Sequence, residues 1–360
     1  MNIPLIRLLN QQILSPMFST PEGVVNWMGA IQAQDLTAAT WAVALRTPEP
    51  SRAAVEAALM SGSIVRVHVN RPTWHFVTQA DLLWMMDISR ASIERSFMTY
   101  IKNTGIGLKE SFYDKALDII KSALSDGKSL TKLELMPYFD ESNIPHTKYH
   151  IEAYLWRAET RFVVSGGLMR DGQVTYMLLD ERLPRRSGVS KEKALLMYAT
   201  KYFRSHSPAT LQDFVWWSGL GVREARTAIQ LMGRKLETAV INNHTYYIHT
   251  MCRTSEQSSS SVALLPAYDE YLLGYRDRSD VLEPDYRSCV LNNRGVFTRV
   301  IHQDGELVGN WDYTKTKVKV SYFKSNFTPN EYATKKAIMR FLNYNAQAPA
   351  EEDISEDAPQ

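Results

Sequence analysis

One pattern recurs three times along the chain: helical segments are followed by two short alternating segments that are joined by a polar turn. Apolar residues come at helical spacing in the first part of each repeat and at every second position in the last part. Helices followed by a hairpin are the outline of a winged helix-turn-helix unit, although a single copy is equally typical of ordinary helical packing. The recurrence predicts an α+β chain, mainly helical, with three winged helix-turn-helix units in tandem.

The first winged-helix unit is predicted over residues 1–104. The segments SIVRVHV and PTWHFVT alternate as two strands, with Asn70 and Arg71 at the turn between them. A long amphipathic helix follows, from Asp81 to about Lys102. Before the strands, the apolar spacing predicts helices near residues 3–14, 21–31, 37–46 and 51–61.

The second unit is predicted over residues 105–186, with Ser129 as a helix cap and a wing that turns at Asp171 and Gly172. Glu134 lies too late in the chain to complete a capping box with that serine, so we expect a simple cap. A helix is predicted near residues 109–125, LTKLELMPYF and HTKYHIEAYLWRAETRF supply a helix-turn-helix, and FVVSGGLMRDGQVTYMLL supplies the wing.

The third unit is predicted over residues 187–256, with Thr210 as a helix cap and a hairpin around Asn242 and Asn243. The segment RLPRRSGVSKEK, which joins the second unit to the third, is the most basic stretch of the chain. We expect it to be an interdomain linker, and Arg185 and Arg186 within it are candidate DNA contacts.

The last part of the chain differs in composition from the three units. A β-rich part is predicted over residues 257–345, with a hairpin hinged at Asp304 and Gly305 and a final helix near 329–344. Residues 346–360 hold five carboxylates and no Lys or Arg, which predicts a disordered acidic tail. Without this tail the chain has 41 basic and 34 acidic residues, and the excess of +7 is compatible with a polyanionic partner.

Several classes of protein lack support in the sequence. Cys252 and Cys289 are too few for a disulfide framework or a cysteine zinc site, so we expect a reducing, cytoplasmic setting. The sequence has no apolar run of membrane-spanning length, no Gly-rich phosphate loop, no HExxH and no GxSxG. His146 and His150, four residues apart, could share a metal ion, but no carboxylate motif accompanies them. We therefore expect ordinary polar histidines, no metal and no cofactor.

The segment IQAQD carries the most informative polar residues. Gln32 and Gln34 would point about 200° apart on a helix, whereas an extended segment places both on one face. We therefore expect the preceding helix to end near Ile31, and Asp35 or Thr37 to cap the next one. Without further context, two glutamines beside a helix end are typical surface or capping groups.

Four blocks of the sequence, taken together, resemble the AlkZ-like winged-helix DNA glycosylases. IQAQD resembles the family's Gln-x-Gln motif, which is Gln-x-Asp in YcaQ-type relatives. SIVRVHVNRPTWHFVTQADLLW is similar to its Arg-rich hairpin, and LLPAYDEYLLGYRDRS to its Leu-Pro-x-Asp-x-Tyr-Leu-Leu-Gly-Tyr block. GVFTRVIHQDGELVGNW is similar to its later hairpin. The blocks occur in the family's order between residues of about 5 and 344.

The resemblance implies three tandem winged helices with a concave DNA-binding face and a β-rich C-terminal part. The activity it implies is excision of alkylated purines from double-stranded DNA, including the opening of interstrand crosslinks. The family's two catalytic glutamines correspond to Gln32 and Gln34 here. The resemblance also implies that members with Gln-x-Gln accept a narrower range of substrates than the Gln-x-Asp group, which argues against general repair of alkylated bases by this chain.

The chemistry of amides makes this assignment reasonable and also limits it. An amide does not titrate near neutrality, so Gln32 and Gln34 cannot act as general bases. A purine alkylated at N7 is already positively charged and departs as a neutral base, so the leaving group needs no proton. Two amide oxygens can aim a water molecule and stabilise oxocarbenium charge. Asp35 could be a base in principle, but on an extended segment it faces away, and we favour a helix cap.

Further candidate residues lie in the matched hairpins. Thr73 and His75 share one strand face and are expected near the same cleft. His75 could orient a glutamine, contact phosphate or be an ordinary strand histidine. Arg66 and Arg71 are expected to bind phosphate rather than base edges. The resemblance also predicts that the hairpin within residues 298–311 reaches into the minor groove, with three candidate contacts: Arg299, His302 and Gln303.

A last polar and aromatic group falls in the third matched block. Buried Asp–Arg pairs and tyrosines hold domains together as often as they bind ligands, and we favour scaffolding here. The group comprises Asp269, Tyr271, Tyr275, Asp277 and Arg278.

Two functions fit the sequence. The first is a monomeric DNA glycosylase that acts on N7-alkylated or bulky purines without a metal ion. The second is a winged-helix DNA-binding protein without catalysis, such as a regulator or a chromatin-associated protein. A regulator usually dimerises to bind two half-sites, and the sequence shows no heptad repeat for a dimer. The glycosylase is therefore the favoured interpretation.

Overall fold

The computed structural model describes residues 1–167, 170, 173–182, 188–254, 260–293, 295–314 and 316–347. The predicted wing turn at Asp171 and Gly172 lies outside the described residues, as do Arg185, Arg186 and nearly all of the predicted acidic tail. In the described part of the chain, no helix is both long and apolar enough to cross a membrane.

The first 104 residues contain five helices and a small antiparallel sheet. The sheet has the strand order β1-β3-β2, so the predicted hairpin gains a third strand from the Gln-x-Gln segment. The predicted turn at Asn70 is confirmed, and that residue has a left-handed φ of 61°. The elements are α1 (Ile3–Asn10), α2 (Pro21–Met28), β1 (Ile31–Gln32), α3 (Leu36–Leu45), α4 (Arg52–Ser61), β2 (Ile64–Val69), β3 (Thr73–Thr78) and α5 (Gln79–Thr104).

The next part has helices and a three-stranded sheet in the order β4-β6-β5. The predicted cap at Ser129 is wrong, because Thr131 caps α7 instead. Its hydroxyl accepts from the backbone N–H of Glu134 at 3.2 Å, and the Glu134 carboxylate accepts from the backbone N–H of Thr131 at 2.8 Å, a complete capping box. The elements are α6 (Glu110–Ala123), β4 (Leu130–Thr131), α7 (Lys132–Leu135), α8 (Lys148–Thr160), β5 (Val164–Gly166), β6 (Thr175–Leu178) and α9 (Leu179–Arg182).

Three helices and one hairpin follow. The predicted cap at Thr210 is confirmed, and Asp213 completes a capping box with it. The predicted hairpin turn at Asn242 and Asn243 is also present, with both residues at positive φ. The elements are α10 (Lys191–His206), α11 (Leu211–Ser218), α12 (Val222–Met232), β7 (Leu236–Ile241) and β8 (His244–His249).

The last part is built around an antiparallel sheet with the strand order β12-β11-β10-β9. The predicted hairpin turn at Asp304 and Gly305 is confirmed, since both residues have positive φ there. The elements are β9 (Val262–Leu265), α13 (Glu270–Leu273), α14 (Arg287–Val290), β10 (Val300–Gln303), β11 (Glu306–Tyr313), β12 (Val318–Tyr322) and α15 (Glu331–Asn345).

The fold is α+β and mainly helical, with helices and hairpins in the predicted order. That each of the three stretches is a winged-helix unit stays a prediction. The largest core joins the first stretch to the C-terminal sheet. Trp41 of α3 donates from Nε1 to the carbonyl of Leu264 at 2.8 Å and lies 5.2 Å from the ring of Phe341. Helix α3, which follows the Gln-x-Gln segment, therefore packs against β9 and α15.

Candidate active site

The local fold around Gln32 follows from the end of α2. That helix ends at Gly29, whose φ of 85° is readily adopted only by glycine, and a Cβ there would lie 2.9 Å from Lys201 Cβ. The chain then runs extended against the first hairpin, with Ile31 opposite Phe76 and Gln32 opposite His75. The predicted extended segment is confirmed for these two residues, and the helix ends slightly earlier than expected.

Asp35 ends the extended segment and begins the next helix. Its Oδ1 accepts from the backbone N–H of Ala38 at 2.9 Å, which caps α3. The predicted cap is therefore confirmed, and this hydrogen bond occupies one oxygen of the carboxylate that could otherwise have served as a base.

A large cleft lies where the first hairpin, the third group of helices and the C-terminal part meet. Its volume is about 1150 Å³, and Gln32, Arg71 and Thr73 line one side. The remaining lining is rich in arginine and aromatic side chains, which suits a polyanionic ligand that carries flat bases. These residues include Trp216, Tyr268, Arg276, Arg278, Arg287 and Phe297.

Gln34 lines a second cleft of about 800 Å³, together with Asp35 and Arg299. Tyr268 and Phe297 line both clefts, and their ring centroids are 6.2 Å apart. The two motif glutamines therefore face adjoining clefts that share an aromatic boundary.

Gln32 is 8% exposed and lies at the edge of the large cleft. Its backbone N–H donates to Glu270 Oε1 at 2.9 Å. Its side-chain Oε1 is buried and accepts no hydrogen bond from the described residues. A buried acceptor without a partner is costly for a folded protein, so this oxygen has unused hydrogen-bonding capacity at the edge of the cleft.

His75, opposite Gln32, is fully buried. Its Nδ1 lies 2.7 Å from the carbonyl of Thr73, which can only accept, so Nδ1 carries the proton. Burial lowers the pKa of His75 to about 4, and the ring is neutral near pH 7. A fully buried neutral ring cannot contact phosphate, so that alternative is wrong. The unprotonated Nε2 is buried and has no partner among the residues described.

Arg66 and Arg71 have different surroundings. Arg71 lines the large cleft, donates to the carbonyl of Leu273 at 3.0 Å and lies over the ring of Trp216. Burial lowers the pKa of Arg66 to about 10, and its guanidinium lies 4.1 Å from the ring centroid of Trp74. The predicted phosphate contact of Arg71 suits this position, whereas Arg66 faces protein groups.

The hairpin β10–β11 does not project from the protein. Tyr271 donates from its hydroxyl to the carbonyl of Gly305 at 2.7 Å, and Asp304 accepts from the backbone N–H of Ser261 at 2.7 Å. A Cβ on Gly305 would lie 2.5 Å from Pro4. The hairpin tip is thus packed against the start of α1, and the prediction that it reaches into a DNA groove is wrong.

The three contacts predicted on this hairpin have different outcomes. His302 is 1% exposed and burial lowers its pKa to about 4, so the prediction that it contacts DNA is wrong. Gln303 is partly buried, and its side-chain oxygen accepts from the backbone N–H of Asn330 at 2.8 Å. Arg299, at the opposite end of the hairpin, pairs with Asp312 at 2.8 Å and lines the second cleft. A DNA contact through Arg299 stays a prediction.

The polar and aromatic block after β9 is divided between scaffold and cleft. Arg46 binds both carboxylate oxygens of Asp269, at 2.9 and 2.8 Å, and both side chains are fully buried. Tyr275 donates to the carbonyl of His206 at 2.9 Å. Scaffolding is confirmed for Asp269, Tyr271 and Tyr275. Arg278 instead lines the large cleft, where burial lowers its pKa to about 10.

Two residues of the site were missed from the sequence. Glu270, next to Asp269, is fully buried and contacts the backbone of Gln32. Trp216 lines the large cleft beneath Arg71 and Arg278. No local pattern marked Glu270, because its partner Gln32 lies 238 positions away in the chain. The Trp-Trp pair in α11 gave no indication of which ring faces the cleft.

The described residues contain no cluster of three or more His, Cys, Asp or Glu side chains that could hold a metal ion. His150 of the predicted histidine pair instead shares a hydrogen bond of 2.7 Å with Thr147, and His146 lies 3.3 Å from Asp140. These contacts are those of ordinary polar histidines.

Comparisons with known proteins point to the family that the sequence resembles. The family model described as DNA glycosylase AlkZ-like matches residues 25–344. The chain is 24% identical over 344 residues to an interstrand DNA cross-link repair glycosylase of Streptomyces sahachiroi, with 88% of each protein covered. In fold it is similar to the solved structure of Streptomyces sahachiroi DNA glycosylase AlkZ, with a TM-score of 0.77, 21% identity and 96% of each chain covered.

Proposed function

Because the chain belongs to the AlkZ-like family of DNA glycosylases, we propose that it hydrolyses the N-glycosidic bond of N7-alkylated or bulky, crosslinked purines in duplex DNA. It acts as a monomer without a metal ion, in DNA repair or in resistance to a DNA-alkylating toxin. Gln32 and Gln34 are the proposed catalytic residues. Arg71 and Arg299 are proposed DNA contacts in the two clefts.

The observation that carries the proposal is the side-chain oxygen of Gln32. It is buried at the edge of a cleft lined by arginines and aromatic rings, and no described residue donates to it. An amide oxygen in that state can accept a hydrogen bond from a water molecule and so aim its lone pair at the anomeric carbon. His75 beside it is neutral, so it does not place a positive charge next to a cationic transition state.

The reaction needs no acid. The bond between C1′ and the purine nitrogen breaks, and its electron pair moves onto the base and neutralises the charge of the alkylated ring. A bond then forms between C1′ and the water oxygen, and a proton leaves that water for the solvent. Amide dipoles stabilise the oxocarbenium charge that develops in between. Selectivity for cationic, labile lesions over neutral damaged bases follows from this chemistry.

The pair of adjoining clefts supports bulky substrates. A base that is covalently tied to the opposite strand cannot rotate fully into an enclosed pocket. Two clefts that share Tyr268 and Phe297 offer room for a purine on the Gln32 side and for the rest of an adduct on the Gln34 side. The active site is then an open surface rather than an enclosed pocket.

The test is release of N7-methylguanine from a duplex, and of a nitrogen-mustard crosslink, under single-turnover conditions. Gln32→Ala and Gln34→Ala should each lower the rate, for Gln32 by roughly 100-fold, while duplex affinity stays within about twofold. Uracil and hypoxanthine duplexes serve as neutral-base controls. Equal release of uracil and N7-methylguanine by the wild-type protein, or full activity of Gln32→Ala, would contradict the proposal.

A further inference from the structure

A buried carboxylate lies directly behind the motif. Glu270 is fully buried, and its Oε1 accepts the backbone N–H of Gln32 at 2.9 Å. Its Oε2 accepts the indole N–H of Trp217 at 3.1 Å, and His206 Nε2 lies 3.6 Å away. The carboxylate thus joins β1, α10 and α11 at the point where Gln32 enters the cleft.

Glu270 is ionised in this environment. Burial by itself would raise its pKa, but hydrogen bonding by the His206 side chain and the positive charge of Arg71 outweigh that effect and hold the pKa below its usual range. Two N–H donors on the oxygens favour the same form. Burial lowers the pKa of His206, so the imidazole beside the carboxylate is mainly neutral.

The negative charge is only partly compensated. Within the described chain, no Lys or Arg nitrogen lies in ion-pair distance of Glu270, whereas the neighbouring Asp269 is bound by Arg46 on both oxygens. Arg71 acts on Glu270 from a greater distance, while its guanidinium donates to the carbonyl of Leu273. A buried charge without a direct counterion is expensive, and such groups concentrate at functional sites.

We propose that Glu270 is a positioning residue with an electrostatic role. It fixes the backbone of Gln32 and places a negative charge beneath a motif that has only neutral amides, and this charge stabilises the oxocarbenium transition state. The inference rests on the proposed glycosylase function. In a low-dielectric surrounding, a fixed charge near a developing cation is worth roughly 10- to 100-fold in rate.

Glu270→Gln is the test variant, because it keeps the shape and one acceptor oxygen for Gln32 while removing the charge. Glu283→Gln, which removes an exposed carboxylate paired with Lys324, is the matched control. We expect single-turnover release of N7-methylguanine to fall by roughly 10- to 100-fold in Glu270→Gln and to stay unchanged in the control. Duplex affinity should stay within about twofold in both.

A second measurement separates charge from shape. A duplex with a protonated pyrrolidine in place of the sugar resembles the cationic transition state, and a tetrahydrofuran duplex is its neutral counterpart. The wild-type protein should bind the pyrrolidine duplex more tightly, and Glu270→Gln should lose that preference while binding tetrahydrofuran as before. Equal weakening of both duplexes would show a merely structural role and overturn the inference.

The two hypotheses fail in different ways. If the wild-type protein releases no base from any alkylated duplex, the proposed function fails, and with it the premise of this inference. If the wild-type protein is active and Glu270→Gln releases N7-methylguanine at the same rate, the proposed function stands and the role of Glu270 is overturned. Glu270→Asp, which retains the charge, should keep the preference for pyrrolidine even if its rate is lower.

Discussion

Arg66 donates from Nε to the backbone carbonyl of Ala33 at 3.0 Å, and Ala33 is the residue between Gln32 and Gln34. The guanidinium also lies 4.1 Å from the ring centroid of Trp74, so a cation–π contact fixes it as well as this hydrogen bond. Together with Glu270, which accepts the backbone N–H of Gln32, Arg66 holds the motif backbone at the peptide group before Gln32 and at the one before Gln34.

We therefore expect Arg66→Gln to lower the rate of N7-methylguanine release, roughly tenfold, through a less well-placed motif. Its effect on DNA binding should be small, because the guanidinium faces protein groups. The measurement is single-turnover rate together with duplex affinity at several salt concentrations. Arg71→Gln, in the large cleft, should instead lower the salt slope by about one.

The opposite result would contradict a role of Arg66 in placing the motif. If Arg66→Gln lowers the salt slope by about one and leaves the rate per bound duplex unchanged, Arg66 binds phosphate as the sequence predicted, and its contact with Ala33 has no role in catalysis.

The buried pair of Arg46 and Asp269 predicts a large effect on stability. Removing one partner leaves an uncompensated buried charge, so Arg46→Met should lower the free energy of unfolding by about 3–5 kcal/mol. Arg52→Met, which breaks a partly exposed pair with Glu56, should cost no more than about 1 kcal/mol. Urea unfolding at pH 7 compares the two. Equal effects would mean that Asp269 finds another partner.

Features set within a few residues were predictable from the sequence. The caps at Asp35 and Thr210 and the turns at Asn70 and Asp304 depend on short-range hydrogen bonds and on backbone preferences. The cap at Ser129 failed for a local reason as well. Thr131 forms a capping box with Glu134, and that pairing has the correct spacing, so a better choice of cap would have found it.

The position of the hairpin β10–β11 could not be predicted in this way. Its turn was correct, but its tip packs against Pro4 and Tyr271, and the first of these is about 300 residues away in the chain. Alternation indicates which strand residues share a face and says nothing about what covers that face. His302 was therefore taken for an exposed contact although it is buried.

Only part of the candidate site could be predicted from the sequence. Pairing of Gln32 with His75 brings together two segments that the sequence had already singled out. Glu270 reaches Gln32 across 238 positions, and no local pattern distinguishes it from the scaffold residue Asp269 beside it. The partner of a buried carboxylate is a property of the packed structure.

Buried neutral histidines predict a loss of stability in mild acid. Burial lowers the pKa of His75 and of His302 to about 4, whereas an unfolded histidine titrates near 6.5. Between these values the unfolded chain binds more protons than the native protein, so stability rises with pH and is lost as the pH falls below about 6.5. Each of these two histidines should lower the free energy of unfolding by about 2 kcal/mol between pH 7 and pH 5.

Urea unfolding at pH 7 and pH 5 tests this expectation. His302→Gln should reduce the loss of stability between pH 7 and pH 5 by about 2 kcal/mol, whatever the substitution does to stability at pH 7. His244→Gln is the matched control, because that histidine is exposed on β8. A loss of the same size in both variants would show that His302 is protonated in the native protein at pH 5.

The two cysteines should differ sharply in reactivity. Cys289 is exposed and lines the second cleft, whereas burial raises the pKa of Cys252 to about 12. Because the thiolate is the reactive form, a disulfide reagent at pH 8 should modify one thiol per chain quickly and the other only as the protein unfolds. Cys289→Ser should abolish the fast phase, and Cys252→Ser should leave it intact. Two fast thiols in the folded protein would mean that the segment after β8, which holds Cys252 against Asn10, opens readily.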